Sequence, residues 1–424
     1  MMRTKIVQLY GRRVWDSRGR PTVEAEVHLA CGAVGRAIAP AGASTGAGEA
    51  LDLRDGGESF GGRDVSKAVA NIRLPIAAVL KGLDAADQAG VDFALIALDG
   101  TPQKSRLGGN AMIATSMAVA RAAAAAANQP LWQYLGGSGP MPLPQIQIFG
   151  GGAHANRRID IQDFMVIAIG ATEYSEALDW TARVYAAAGQ IMDEAGKLAG
   201  VADEGGYWPN FESDEAAVET LVRAIERAGL VAGTDVAIAI DVAASSFGRG
   251  GTYQLGRERK QVDSDALAEM LLRWLARYPI VSVEDPLGED DSAAFARFAR
   301  AAGQKVQVVG DDLLVTNASR IGEAELHNTC NAVLIKPNQA GTITETKLAL
   351  DETRRVGYAP IVSARSGESE DTIVVHLAVG WGVQQLKVGS FARSERMAKW
   401  NEGLRVAEIV GGSLPPKNTF AWGR

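Results

Sequence analysis

Apolar and polar positions change rhythm twice along the chain. Residues 22–29 alternate, with Val23, Ala25, Val27 and Leu29 on one face and Thr22, Glu24, Glu26 and His28 on the other. That period predicts a half-buried antiparallel strand. A second apolar run at 34–39 follows the Cys31-Gly32 turn and leads into a small-residue loop, Gly42-Ala43-Ser44-Thr45-Gly46. From about residue 64 to 127 the apolar positions recur at helical spacing, and the alanine run 122–127 stops at Asn128-Gln129-Pro130. Leu135-Gly136-Gly137-Ser138-Gly139-Pro140 reads as a linker, which divides the chain into 1–138 and 139–424.

Beyond the linker, short β-branched runs at 236–240, 280–283, 306–309, 332–335, 361–362 and 385–386 alternate with helical patterns. The helices are expected around 215–229, 264–277, 292–302, 343–355, 370–378 and 394–408. Strand–helix repetition implies a parallel sheet, and a second half of this length suits a closed (β/α)8 barrel. The strand–G-x-G-x-x-G–helix fingerprint of dinucleotide folds and the G-x-x-x-x-G-K-[ST] phosphate loop are both absent from the sequence.

Composition narrows the class. The 424 residues are 47% hydrophobic and 22% charged, and 43 Lys+Arg against 50 Asp+Glu give a formal charge of −7, a poor footprint for nucleic acid or an anionic membrane. Two cysteines, Cys31 and Cys330, form no C-x-x-C motif, so a reducing cytoplasm is expected. No apolar run has the length of a membrane span, and residues 1–16 lack a signal-peptide core.

The chemistry lies in how the strands end. The run 237–240 meets Asp241, 280–283 meets Glu284, and 308–310 meets Asp311. The run 333–335 meets Lys336, 361–363 leads to Arg365 and Ser366, and 385–386 leads to Lys387. In a barrel these ends converge on the rim that carries active sites. One strand-end acid is readily a helix cap or a surface ion-pair partner. Acids ending three consecutive strands weigh instead toward a hard-oxygen cage for Mg²⁺, and zinc motifs are missing. A lysine beside metal and arginine charges can have its pKa lowered and act as a general base, which singles out Lys336 and Lys387. His154, in the turn Gly150-Gly151-Gly152-Ala153-His154, is open to either a site or a structural role. Asp203-Glu204-Gly205-Gly206 is equally an acidic pair or a plain turn, and the 42–46 loop an ordinary connection or a lid.

The chain resembles the enolase (phosphopyruvate hydratase) family over nearly its whole length. The resemblance is carried by Asp16-Ser17-Arg18-Gly19-Arg20-Pro21-Thr22, Gly42-Ala43-Ser44-Thr45-Gly46, Asp99-Gly100-Thr101 and Asp203-Glu204-Gly205-Gly206. It continues through Glu284-Asp285-Pro286, Gly310-Asp311-Asp312-Leu313, Ile335-Lys336-Pro337-Asn338-Gln339, Arg365-Ser366-Gly367-Glu368 and Ala392-Arg393-Ser394-Glu395-Arg396. It implies an α/β fold: an N-terminal α+β capping domain on an enolase-like (β/α)8-type barrel with an atypical first strand order. It implies reversible dehydration of 2-phosphoglycerate to phosphoenolpyruvate, by proton abstraction alpha to the carboxylate and a metal-stabilised enediolate. By the same resemblance, Asp241, Glu284 and Asp311 match ligands of a first Mg²⁺, and Ser44 matches a lid serine that helps hold a second. Lys336 matches the base, Lys387 the residue that binds the carboxylate, and Glu204 the acid that assists hydroxyl departure. Arg365 and Ser366 match phosphate contacts, while Gln162, Asp163 and His154 match further active-site positions. A homodimer or larger homo-oligomer is implied as well.

The sequence departs from the family pattern at several of these places. Gln-Glu-Phe reads Gln162-Asp163-Phe164, a retreat of about 1 Å that is large enough to matter for catalysis. Ser-His-Arg-Ser-Gly reads Ser363-Ala364-Arg365-Ser366-Gly367, and the lid's usual histidine is Gly48. Ser246 stands where the family often has Glu, and Tyr207-Trp208-Pro209 adds bulk beside Glu204. Two alternatives stay open at this point: a paralogue acting on a related phospho- or phosphono-carboxylate, and an enolase-like binding protein without turnover.

Overall fold

The computed structural model describes residues 3–43 and 45–423. The first part forms a small antiparallel sheet, β1 (Ile6–Trp15), β2 (Pro21–Leu29) and β3 (Val34–Ile38), in the order β1-β2-β3. Helix Gly109–Ala126 lies against β2 and β3. The alanine run makes this close approach possible: a Cβ on Gly35 would stand 2.1 Å from the Ala118 carbonyl oxygen. The half-buried expectation for β2 is corrected here, since both of its faces are covered. Central position is the reason. Arg12 of β1 donates to Glu24 and to Glu26 (2.9 Å), and Arg36 of β3 donates to Glu26 at 3.0 Å, so cross-strand pairing neutralises and covers the outward carboxylates.

The second part closes into an eight-stranded barrel. Its first three strands are β4 (Leu143–Gly150), β5 (Asp163–Ile167) and β6 (Ala237–Asp241). A small antiparallel sheet follows, β7 (Gly248–Arg249), β8 (Thr252–Leu255) and β9 (Lys260–Asp263). The barrel resumes with β10 (Ile280–Glu284), β11 (Gln307–Gly310), β12 (Ala332–Ile335), β13 (Ala359–Ser363) and β14 (Gln385–Ser390), closing in the order β10-β11-β12-β13-β14-β4-β5-β6.

One strand departs from the parallel arrangement that strand–helix repetition implies. β5 runs antiparallel to both β4 and β6. A parallel return needs a long crossover, usually a helix, and the β4–β5 connection holds just the short turn Gly152–Ala155. The helix pair Tyr174–Glu194 and Asp214–Arg227 then carries the chain out and back to the same end of the barrel, where β6 begins. Because β5 is reversed, its first residue, Asp163, lies on the rim formed by the last residues of its neighbours. It pairs in register with Gly150 and with Asp241.

The sheet-and-helix cap is fixed to that rim. Arg121 donates to both carboxylate oxygens of Asp371 (2.9 and 2.7 Å), and Asp371 also accepts from Ile38 N at 3.0 Å. Asp92 accepts from Thr344 N at 2.9 Å, so a cap helix binds the start of barrel helix Ile343–Arg355. Among the described residues, no helix is long and apolar enough to cross a membrane.

Candidate functional site

Strand ends and the loops beside them bring His154, Gln162, Asp163, Glu204, Asp241, Lys336, Ala364, Arg365, Ser366 and Lys387 to the wall of one narrow cleft. Glu284 and Asp311 adjoin it through their contacts with Lys387 and Lys336. Lys387 Nζ, on β14, stands 2.9 Å from Asp241 Oδ2, 2.8 Å from Glu284 Oε2 and 3.4 Å from Asp163 Oδ2. Lys336, immediately after β12, donates to Asp311, whose other oxygen accepts from Gln339 Nε2 at 3.0 Å. Ser44 lies outside the described residues.

These carboxylates fit a cation. All are buried oxygen donors, the pairing of Asp241 with Glu284 is fixed by strand register, and an ammonium already sits between the two. Among the described residues, buried Glu284 Oε1 has no hydrogen-bond partner, which leaves a lone pair for a further donor or ion. Burial, followed by the charge of Asp241, pushes Glu284 well above its usual range. Asp311 Oδ atoms also lie within 4.8 Å of donor oxygens of Asp285 and Asp312. Asp285, however, is committed to the backbone, accepting from Asp311 N (2.9 Å) and Asp312 N (2.8 Å), and so shapes the turn that presents Asp311.

The surroundings of the two lysines push in both directions. Burial and Arg365 push Lys336 down, but the Asp311 carboxylate outweighs them and holds it above its ordinary value. Lys387 is raised further against burial, by Asp241 and then Glu284. The facing carboxylates favour the cationic form of both lysines.

Elsewhere in the cleft, His154 Nδ1 is 3.0 Å from Asp163 Oδ1 and His154 Nε2 is 3.7 Å from Glu204 Oε1. Burial alone would lower His154, but Glu204 and Asp163 raise it to about 9. Burial likewise opposes the ionisation of Asp163, and the charges of His154 and Lys387 overcome it, so Asp163 lies below its usual range. Gln162 Nε2 donates to Asp241 Oδ2 at 3.2 Å. Tyr207 turns its bulk aside, stacking on Tyr185 with ring centroids 4.4 Å apart.

Sequence reasoning missed three supporting side chains. Buried Glu49, just past the 42–46 loop, accepts from Arg365 at 3.0 and 3.2 Å and from Gly46 N at 3.0 Å. Arg396, in the first turn of helix Ser394–Val410, donates to the carbonyls of Arg365 (2.6 Å), Val388 (2.8 Å) and Ser366. Gln147 on β4 contacts Asp163 and the 203–206 loop. Arg396 falls within a motif already noted; Glu49 and Gln147 carried no such signal. Gly48 has a structural reason: at φ +114° a Cβ would lie 2.4 Å from Arg320 Nη2, and that guanidinium instead donates to Ala47 O at 2.6 Å. Arg18 similarly explains its motif, bridging Asp16 Oδ2 and Ala41 O, each at 3.0 Å.

Comparison with known proteins is consistent along the chain. Residues 6–135 match the family description "Enolase, N-terminal domain", and residues 139–416 match "Enolase, C-terminal TIM barrel domain". Enolase 1 of Desulfitobacterium hafniense (strain Y51) is 48% identical over 424 residues, covering 98% of this chain and 97% of that protein. A cap and a closed barrel that are both matched, and an identity sustained from end to end, mean that this chain belongs to the enolase family.

Proposed function

We propose that the protein is a hydro-lyase that catalyses the Mg²⁺-dependent, reversible dehydration of 2-phospho-D-glycerate to phosphoenolpyruvate. The observation that carries this is the buried pairing of Lys336 and Lys387 with Asp311, Asp241 and Glu284 around one cleft in a chain of this family. Asp241, Glu284 and Asp311 would hold the Mg²⁺, with Ser44 toward a second ion. When bound, Mg²⁺ offsets the charge of the substrate carboxylate and makes its alpha proton easier to remove.

The side chains then divide the work. Lys387 binds the carboxylate, and Lys336 takes the alpha proton once its own proton has left; Arg365 favours that neutral form and Asp311 opposes it. Arg365 and Ser366 bind the phosphate, Arg365 through a planar fork suited to its oxygens. Glu204 gives a proton to the departing hydroxyl. His154 supplies positive charge to the same wall, while Gln162 and Asp163 fix the groups around it. The test is exchange of the substrate's alpha proton in deuterated water with Mg²⁺: the wild type exchanges and Lys336→Ala does not, whereas normal exchange in the variant would refute the assignment.

A second reading keeps proton abstraction and changes the substrate, and it rests on Ala364, which presents a methyl group to the cleft. Turnover of a phosphono-carboxylate well above that of 2-phosphoglycerate would favour it. We further assign residues 1–138 to the cap and 139–424 to the catalytic barrel, a cytoplasmic location, and a homodimer or larger homo-oligomer that light scattering would detect.

A further inference from the structure

The acid at position 163 is short, and one buried side chain spans the gap beside it. Gln147, 1% exposed on β4, donates from Nε2 to Asp163 Oδ1, and its Oε1 accepts from Gly206 N at 2.8 Å. The two contacts fix the amide's orientation, because a carboxylate requires the donor end and a backbone N–H the acceptor end. The slot around it is tight: a Cβ on Gly206 would stand 2.5 Å from Gln147 Oε1, and one on Gly150 3.2 Å from Nε2. Beyond it, the loop that carries Glu204 is fixed by backbone bonds from Asp203 N to His154 O (3.1 Å) and from Ser390 N to Glu204 O (2.9 Å).

We infer that Gln147 is a positioning residue that sets the separation between Asp163 and Glu204, acting as a rigid spacer from β5 to the acidic loop. The inference rests on the proposed dehydration, in which those two acids and His154 serve the departing hydroxyl. Its geometric consequence is reciprocity. On the Asp163 side what matters is the summed reach of the side chains at 147 and 163, so a methylene moved from one to the other should keep that contact. Gln147→Asn alone opens a gap of about 1 Å, and Asp163→Glu alone overfills a packed slot; either displaces a reacting group by a distance that costs catalysis heavily.

The test is a double-mutant cycle on the full-length enzyme with Mg²⁺ and 2-phosphoglycerate, read as kcat, KM and unfolding midpoint. Each single swap is expected to lower kcat about 10- to 100-fold with KM changed less than about threefold, since the phosphate contacts, Arg365 and Ser366, lie elsewhere. The pair Gln147→Asn with Asp163→Glu is expected to recover part of that kcat, well above the product of the two single losses. Losses in kcat that simply multiply would overturn the inference, as would a rise in KM with kcat unchanged. Wild-type turnover tests the reaction itself. Should the wild type not turn over 2-phosphoglycerate, that reading fails, and the spacer is still judged by whether the two swaps compensate in the unfolding midpoint.

Discussion

Asp163 opens β5 and lies in register with Asp241, which closes β6, and Lys387 Nζ stands 3.4 Å from the first and 2.9 Å from the second. The reversed strand therefore adds an acid to a rim that parallel strands already supply with Asp241 and Glu284. One ammonium faces all three.

Removing that ammonium leaves buried acids facing one another. Lys387→Ala is expected to destabilise the metal-free protein by about 3 kcal/mol, in the range for a broken buried pair. Saturating Mg²⁺ should recover part of the loss, because a cation then replaces the missing charge. Thermal unfolding with EDTA and with Mg²⁺ measures both; an equal loss under the two conditions would contradict the arrangement.

Metal binding should also appear in the wild type as added stability. At a Mg²⁺ concentration one hundred times Kd, linkage gives about 2.7 kcal/mol. Asp241→Asn should abolish most of that increment. A variant with an undiminished Mg²⁺ response would place the ion elsewhere.

Glu49 carries no direct substrate contact in this scheme and acts through Arg365. Glu49→Gln keeps the shape but removes the counter-charge from a buried guanidinium. Charge-assisted hydrogen bonds contribute about 1.5–3 kcal/mol, so KM for 2-phosphoglycerate should rise about tenfold or more. Steady-state kinetics decide it, and an unchanged KM would show that Arg365 needs no such support.

Away from the metal ligands, Asp214 gives a pH signature. It accepts from Asp160 N (3.1 Å) and Ile161 N (2.8 Å), and burial raises it to about 7. Between the unfolded value of about 3.9 and that folded value, the native state holds more protons than the unfolded chain. Its contribution to stability therefore falls as pH rises through this window and levels off above it. Asp214→Asn retains an acceptor oxygen and has no proton to lose. The variant should match the wild type near pH 4 and exceed it above pH 7 by up to about 4 kcal/mol. Urea unfolding across pH 4–9 measures this, and a pH-independent difference would contradict it.

Much of this was legible in the sequence where local pattern and tertiary demand agree. Helices Ser264–Arg277, Ser292–Ala302 and Ile343–Arg355 fall on their predicted bounds, each with a side-chain cap at its start. The strand-end charges converge because barrel geometry sends every parallel strand's end to one rim. The direction of β5 was not legible in its own residues, since an apolar run reads the same in either direction; the short β4–β5 link was the available signal. β2 also misled, because its alternation reports side-chain polarity, whereas burial of Glu24 and Glu26 depends on arginines supplied by neighbouring strands. Gln147 and Glu49 escaped notice for a related reason: their partners are distant in sequence, Asp163 and Gly206 for one, Arg365 for the other.

The most direct measurement is the initial rate of enol formation, followed by ultraviolet absorbance, with purified protein, Mg²⁺ and 2-phosphoglycerate, and Lys336→Ala alongside. Fast turnover that requires both Mg²⁺ and Lys336 is the predicted result. Absence of turnover in the wild type, or turnover undiminished in Lys336→Ala, would contradict the assignment.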